Sequence, residues 1–457
     1  MKSTPANVVG LVAVVALPLF AGCAPSPNAI PTSAARDDLV RFGAPFTSVF
    51  RPDPESPYHL RNQEGQHLFI LAKTAWHYFN AKDPQQVLQH ARALGANVIR
   101  VALEGNLYFE ELSIDAWPWS GTRKQPHFAT FNEAYWTRVQ DRIELAGRAG
   151  IGIDLVLYAS LHLNEDAVPE QRLYWQRVLE RLGRYSNILT WEIQNEYVAN
   201  ERFQDEVAAF FQQHDQHRRP IITSNGTRDV PTWPEKPWMG MAITHTCTGS
   251  TNSHPLGRWY LAVARNARTF GKPSFNNETG RETRHRNDDG VHRRKQAWLW
   301  STAGGFWTWH SWDGCEGIND ATYKAPGEDF MLPLATFFRS LPFWRLHPEH
   351  VAVQISDDRL IHAAQANVER EYVMTYVATL ATNAQVQGAQ LQYRLRDGRY
   401  HVTFRDPASG RVVDETDLEA KGIGTVDVLP IPTFRDDLVI ELRRTKTAKV
   451  TEMPATH

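Results

Sequence analysis

Two glutamates, Glu196 and Glu278, stand at the ends of short apolar runs about eighty residues apart. The first closes Asn187-Ile-Leu-Thr-Trp-Glu-Ile-Gln-Asn-Glu-Tyr197, where Ile188 to Ile193 reads as a buried strand. The second closes Lys272-Pro-Ser-Phe-Asn-Asn-Glu278. Two carboxyl groups facing each other, one protonated and one ionised, are what hydrolysis of a glycosidic bond requires. Asn195, beside Glu196, adds a side-chain amide suited to a sugar hydroxyl. Such groups gather naturally at the C-terminal ends of parallel strands in a barrel.

The elements that must position them repeat as βα units from about residue 60. His67–Ala72, Gly95–Ala102, Ile151–Tyr158 and the central run are expected as strands one to four. Pro220–Ser224, Met241–His245, Lys272–Phe275 and Gly305–Trp309 are expected as five to eight. Helical patterns fall at Pro84–Leu94, Glu133–Ala149, Gln171–Tyr185, Leu256–Phe270 and Arg294–Thr302, with Asp83 placed to cap the first. Eight such units make a (β/α)8 barrel. After Pro342 short alternating runs replace the helical patterns, separated by turns such as Asp397-Gly398. The expected fold is therefore α/β: a (β/α)8 TIM barrel over 56–342, then a small antiparallel β-sandwich over 343–444 and a tail over 445–457.

Length and composition agree with two domains. The chain has 457 residues, 42% hydrophobic and 22% charged. Its 49 Lys and Arg nearly balance 51 Asp and Glu, which removes the electrostatic case for nucleic acid as the main ligand. Fifteen Trp are many, and a Trp either fills a core or offers a flat binding face.

The first residues read as a targeting signal, 1–23, followed by a Pro/Ser/Ala-rich tether, 24–55. Lys2 precedes the apolar run Val8 to Phe20, which is short for a spanning helix. Leu19-Phe-Ala-Gly-Cys23 resembles a bacterial lipobox, which would make Cys23 the lipidated first residue of the mature chain. An ordinary secretory peptide with an incidental Cys23 is the plain alternative. Ala24 in the next position fits outer-membrane retention, so the expected location is the bacterial cell envelope, lipid-anchored, facing the periplasm or the surface. Cys247 and Cys315 could pair in an exported protein or remain separate buried thiols. No Cys/His spacing suggests a zinc site.

Gly95-Ala-Asn-Val-Ile-Arg100, Trp191-Glu-Ile-Gln-Asn-Glu196 and Lys272-Pro-Ser-Phe-Asn-Asn-Glu278 together resemble clan A glycoside hydrolases. Phe69-Ile-Leu-Ala-Lys-Thr-Ala-Trp76 and the β-rich tail are most similar to the apiosidase-like family, with cellulase-like members second. The resemblance covers about residues 60–340. It implies a retaining double displacement, with Glu196 as general acid/base and Glu278 as nucleophile, and with no metal or cofactor. Arg100 would hydrogen-bond the nucleophile, Asn195 the sugar 2-hydroxyl, and His245 would join the site. Each has a plainer reading: a structural Arg, a turn-forming amide, a satisfied buried His. Trp309 would floor the sugar site, with Trp307 on the same face of the strand as its competitor and Trp76 as a second platform. Trp117 and Trp119 would line a subsite or simply pack their loop.

Two departures stand out. Lys73-Thr74 replaces the Asp-Thr that usually ends the family's first strand, and Cys247 stands where a Tyr often touches the nucleophile. The acid is expected to have its pKa raised by a neighbouring carboxylate or an apolar wall. The competing readings are a non-catalytic carbohydrate-binding surface lipoprotein on the same barrel, and a structural envelope lipoprotein. The sugar, the linkage, exo or endo action, the role of the sandwich and the oligomeric state are not legible in the sequence.

Overall fold

The computed structural model describes residues 39–104, 117–122, 125–226, 230–246, 258–279, 290–310 and 324–445. The targeting signal with Cys23, and both Cys247 and Cys315, lie outside the described residues.

Eight parallel strands form one sheet: β1 Leu71–Thr74, β2 Val98–Ala102, β3 Gly152–Tyr158, β4 Ile188–Gln194, β5 Ile221–Ile222, β6 Ala242–His245, β7 Ser274–Glu278 and β8 Phe306–Trp309. Their order is β6-β7-β8-β1-β2-β3-β4-β5, a ring broken only between β5 and β6. A parallel bridge from Ile221 to Met239, with the Gly240 N–H on Ile221 O at 2.8 Å, draws that last seam together.

The helices outside it are α1 Pro84–Ala93, α2 Glu133–Arg148, α3 Val168–Leu182, α4 Glu201–His214, α5 Arg258–Arg268, α6 Gly290–Thr302 and α7 Met331–Arg339. Asp83 accepts the Gln86 N–H at the start of α1, and Pro84 occupies the first helical position, where a missing N–H costs nothing. Asn132 caps α2 in the same way. Helices α4 and α7 were not anticipated from the sequence. Helix α3 begins at Val168 and ends at Leu182, three residues short of the expected Tyr185.

Strand β4 shows why the barrel holds together. Its alternation sends Trp191 outward, where its ring meets Phe211 of α4 and its Nε1–H donates to Asp215. Thr190, Glu192 and Gln194 fall on the opposite row, inside the barrel. Register places Thr74 beside Arg100, Arg100 beside Asp154, and Asp154 beside Thr190. The barrel interior is thus a polar layer, while the apolar core lies between sheet and helices.

The C-terminal part is antiparallel throughout. A five-stranded sheet contains β9 Leu360–Ala366, β10 Tyr372–Thr379, β11 Gly398–Arg405, β12 Val412–Ala420 and β13 Asp437–Arg444. A three-stranded sheet (Val353–Ile355, Gln390–Tyr393 and Asp427–Pro430) packs on one face, burying Leu391, Tyr393 and Leu429 against Val373, Val402 and Ile440. The other face of the five-stranded sheet joins the barrel core. There Tyr376 stacks on Trp298 of α6 at 5.7 Å, and Met374, Ala378 and Val439 share the same cluster. No helix among the described residues is long and apolar enough to cross a membrane.

Candidate active site

Arg100 is the centre of the polar layer. It is fully buried, reaching inward from β2, and five acceptor atoms surround its guanidinium, the longest contact being to Ser224 Oγ at 3.4 Å. Its Nε donates to Glu192 Oε2 at 2.7 Å and Nη2 to Glu192 Oε1 at 2.5 Å, the two-point match that suits a carboxylate. Nη1 donates to Glu278 Oε2 at 2.7 Å, and Nη2 also reaches Asn195 Oδ1 at 2.8 Å. The Trp76 ring lies 4.6 Å from the guanidinium carbon. Burial works against the Arg100 charge, but Glu192 first and then Glu278 more than offset it and raise its pKa.

Glu196 lies just past the end of β4 with φ at 50°, a left-handed conformation uncommon outside Gly, Asn and Asp. Its backbone N–H donates to Ser224 Oγ at 3.2 Å, and Ser224 Oγ donates in turn to Glu192 Oε1 at 2.8 Å. The turn that presents Glu196 is therefore braced by the layer beneath it. The Glu196 side chain is 29% exposed, whereas Glu278 is 1% exposed, so only the first faces open space. His245, at the end of β6, places Nδ1 3.2 Å from Glu196 Oε1. One side-chain ligand atom each from Glu196, His245 and Glu278 lie within 4.8 Å of one another. No other trio of His, Cys or carboxylate side chains among the described residues is close enough to share an ion.

The amide of Asn195 has a fixed orientation. Arginine offers only donors, so the atom facing Arg100 must be the Asn195 oxygen, and the NH2 group is turned away as a donor.

Several residues of this layer escaped the sequence reading. Glu192, Asp154 and Asn277 are fully or almost fully buried; Asn277 Nδ2 donates to Glu192 Oε2 at 3.1 Å, and Thr190 Oγ1 to Asp154 Oδ1 at 2.5 Å. Burial, then the nearby Glu192 charge, pushes the Asp154 carboxyl up to about 7. His310, one residue past β8, meets Thr74 Oγ1 through Nδ1 at 2.9 Å and puts Nε2 4.0 Å from Glu278 Oε1. Glu104, just past β2, accepts the backbone N–H groups of Ala159, Ser160 and Leu161 at 2.7, 2.8 and 3.1 Å. Burial nevertheless pushes it up to about 7. No signal in the sequence singles out Glu192, because every residue of β4 is buried and neither of its rows is marked as the inner one.

The aromatic candidates fall differently from the open sugar floor expected of them. Trp307 and Trp309 share register with Leu71 and Lys73, the row that faces the helices. Trp307 Nε1 donates to Tyr260 of α5 at 3.1 Å, and the Arg293 guanidinium of α6 covers the Trp309 ring at 4.4 Å. Both rings are fully buried. Alternation along β8 explains this, because residues 307 and 309 point away from Thr308, which lines the barrel. Lys73 is buried in that same outward row. Trp117 and Trp119 are also buried, edge to face at 5.0 Å, with Trp119 packed on Tyr174 of α3.

Solved structures with a similar fold include glycoside hydrolases. A glycoside hydrolase family 5 protein from Bacteroides vulgatus ATCC 8482 superposes with a TM-score of 0.67 at 17% identity, covering 88% of this chain and 95% of that one. A putative glycoside hydrolase from the same organism gives 0.67 at 15% identity, covering 87% and 82%. A comparison with curated proteins finds no match. Residues 55–319 match the family described as apiosidase-like, catalytic domain. That span is more than half of the 457 residues, and the chain belongs to the apiosidase-like catalytic domain family.

Proposed function

We propose that this protein is a retaining glycoside hydrolase acting on oligo- or polysaccharide, with Glu278 as nucleophile and Glu196 as general acid/base. The observation that carries this reading is the approach of the Glu196 and Glu278 carboxylates to within 4.8 Å of each other beside His245. Retaining enzymes hold their carboxyls about 5–5.5 Å apart, and inverting ones leave room for a water at about 6.5–9.5 Å.

In the first step a Glu278 oxygen bonds to the anomeric carbon as the bond to the leaving oxygen breaks, and Glu196 gives that oxygen its proton. In the second, Glu196 takes a proton from water, whose oxygen displaces Glu278 from the sugar. Arg100 holds Glu278 Oε2 and keeps the carboxylate oriented between turnovers. The Asn195 NH2, turned outward by Arg100, is the donor for the sugar 2-hydroxyl. His245 can donate from Nδ1 to an ionised Glu196, which suits a group that must alternate between acid and base.

The test is a screen of the purified chain on aryl glycosides and plant polysaccharide fragments beside Glu278→Ala and Glu196→Ala. Glu278→Ala is expected to abolish turnover. Glu196→Ala should slow turnover about 10²- to 10⁴-fold, regain rate when azide is added, and then release a glycosyl azide of retained configuration. A glycosyl azide of inverted configuration would sink the double displacement. A folded protein that binds glycans but cleaves none would put the carbohydrate-binding reading in its place.

The same proposal locates the enzyme outside the cytoplasm, held to the bacterial envelope through Cys23. It rests on Leu19-Phe-Ala-Gly-Cys23 after the apolar run. Labelled palmitate should enter the wild-type chain and not Cys23→Ser; equal labelling of both refutes the anchor.

A further inference from the structure

His162 and Tyr197 lie face to face, with ring centroids 3.9 Å apart and planes 3° from parallel. His162 is exposed and Tyr197 half-buried, so the pair is not part of the core. Tyr197 follows Glu196 directly, and His162 belongs to the connection after β3. These two connections are tied firmly together. The Asn195 N–H donates to Tyr158 O at 3.0 Å, Asn200 Nδ2 to Leu163 O at 2.8 Å, and Gln204 Nε2 to Tyr197 O at 2.7 Å. Glu104 gathers the backbone of Ala159 to Leu161 just before His162. A stacked pair so anchored is a rigid wall of π surface next to Glu196.

Position decides what such a wall could touch. A general acid delivers its proton to the leaving oxygen, so the leaving group sits on the Glu196 side of the scissile bond. Partial burial lowers the His162 pKa, which favours the neutral imidazole and an uncharged ring face.

We propose that the His162–Tyr197 stack is the platform for the leaving-group sugar. The natural substrate is accordingly an oligosaccharide or polysaccharide whose leaving group is another sugar ring, not the glycoside of a small alcohol. This rests on the glycosidase reading above.

The experiment compares His162→Ala, Tyr197→Ala and Tyr197→Phe on two substrates of the sugar that the wild type accepts: an oligosaccharide and the glycosyl fluoride. The fluoride leaves as a single atom and cannot reach the stack. The two Ala variants are expected to lose about three- to tenfold in kcat/KM on the oligosaccharide, the scale of one aromatic stacking contact. On the fluoride they should match wild type, and Tyr197→Phe should match it on both. Unchanged oligosaccharide cleavage in the Ala variants overturns the platform and leaves the glycosidase standing. An equal loss on both substrates also overturns it, because it shows Glu196 displaced rather than a sugar contact removed. A wild type that cleaves neither substrate overturns the glycosidase reading, and the platform with it.

Discussion

Arg100 and Glu192 form a closed two-point ion pair inside the barrel, Nε to Oε2 at 2.7 Å and Nη2 to Oε1 at 2.5 Å. Neither residue is exposed to solvent. The pair leaves Nη1 free to hold Glu278, so the orientation of one candidate catalytic carboxylate depends on a second carboxylate that never reaches the mouth. Breaking a buried pair strands the partner charge, which costs about 3–5 kcal/mol. Glu192→Gln is therefore expected to lower stability by about that amount, measured by urea denaturation. Arg100 is then free to recentre on Glu278, and turnover should fall at least tenfold. A variant as stable and as active as wild type would show the pair to be dispensable.

Two buried carboxyls make stability depend on pH in a defined direction. Asp154 rises from an ordinary 3.8 to about 7, and Glu104 from 4.5 to about 7. Below pH 4 both are protonated in the folded and the unfolded chain, and contribute nothing. Between about 4 and 7 the unfolded chain releases these protons while the folded chain keeps them, so stability falls as pH rises and then levels off. Asp154→Asn removes one of the two groups and should flatten the profile. Relative to wild type it should gain on the order of 4 kcal/mol between pH 4 and pH 8. Parallel melting-temperature profiles for the two proteins across that range would refute the assignment.

The five-stranded sheet is fastened to α6 by buried charges. Arg294 Nε and Nη2 donate to Asp437 at 2.9 and 2.5 Å, and Tyr376 Oη donates to the same carboxylate at 2.7 Å. Lys295 Nζ meets Thr379 Oγ1 at 2.9 Å and Asp436 Oδ1 at 3.2 Å. Because Trp298, Tyr376 and Val439 also share one core cluster, barrel and sheet should unfold as a single cooperative unit. Asp437→Ala is expected to destabilise that unit by about 3–5 kcal/mol, without producing a second transition in calorimetry. Two resolved transitions in the wild type would show that the parts are independent.

Much of this molecule was legible before any coordinates. Alternation and turn chemistry mark out the strands and the antiparallel tail, because each depends only on neighbours in the chain. Glu196 and Glu278 declare themselves as carboxylates at the ends of apolar runs. Asp83, Pro84 and the onset of α1 agree with expectation for the same local reason. Other features were out of reach. Every residue of β4 is buried, so hydrophobicity could not tell the Trp191 row from the Glu192 row, and the inner carboxylate stayed hidden. Trp307 and Trp309 look like sugar platforms by type, yet their parity on β8 turns them toward α5 and α6. The sequence by itself determined which residues end strands and which chemistry they could serve. Only the closed sheet decided which side of each strand faces inward. Inside and outside are relations among eight strands, set by register around the ring, and no single strand carries that information.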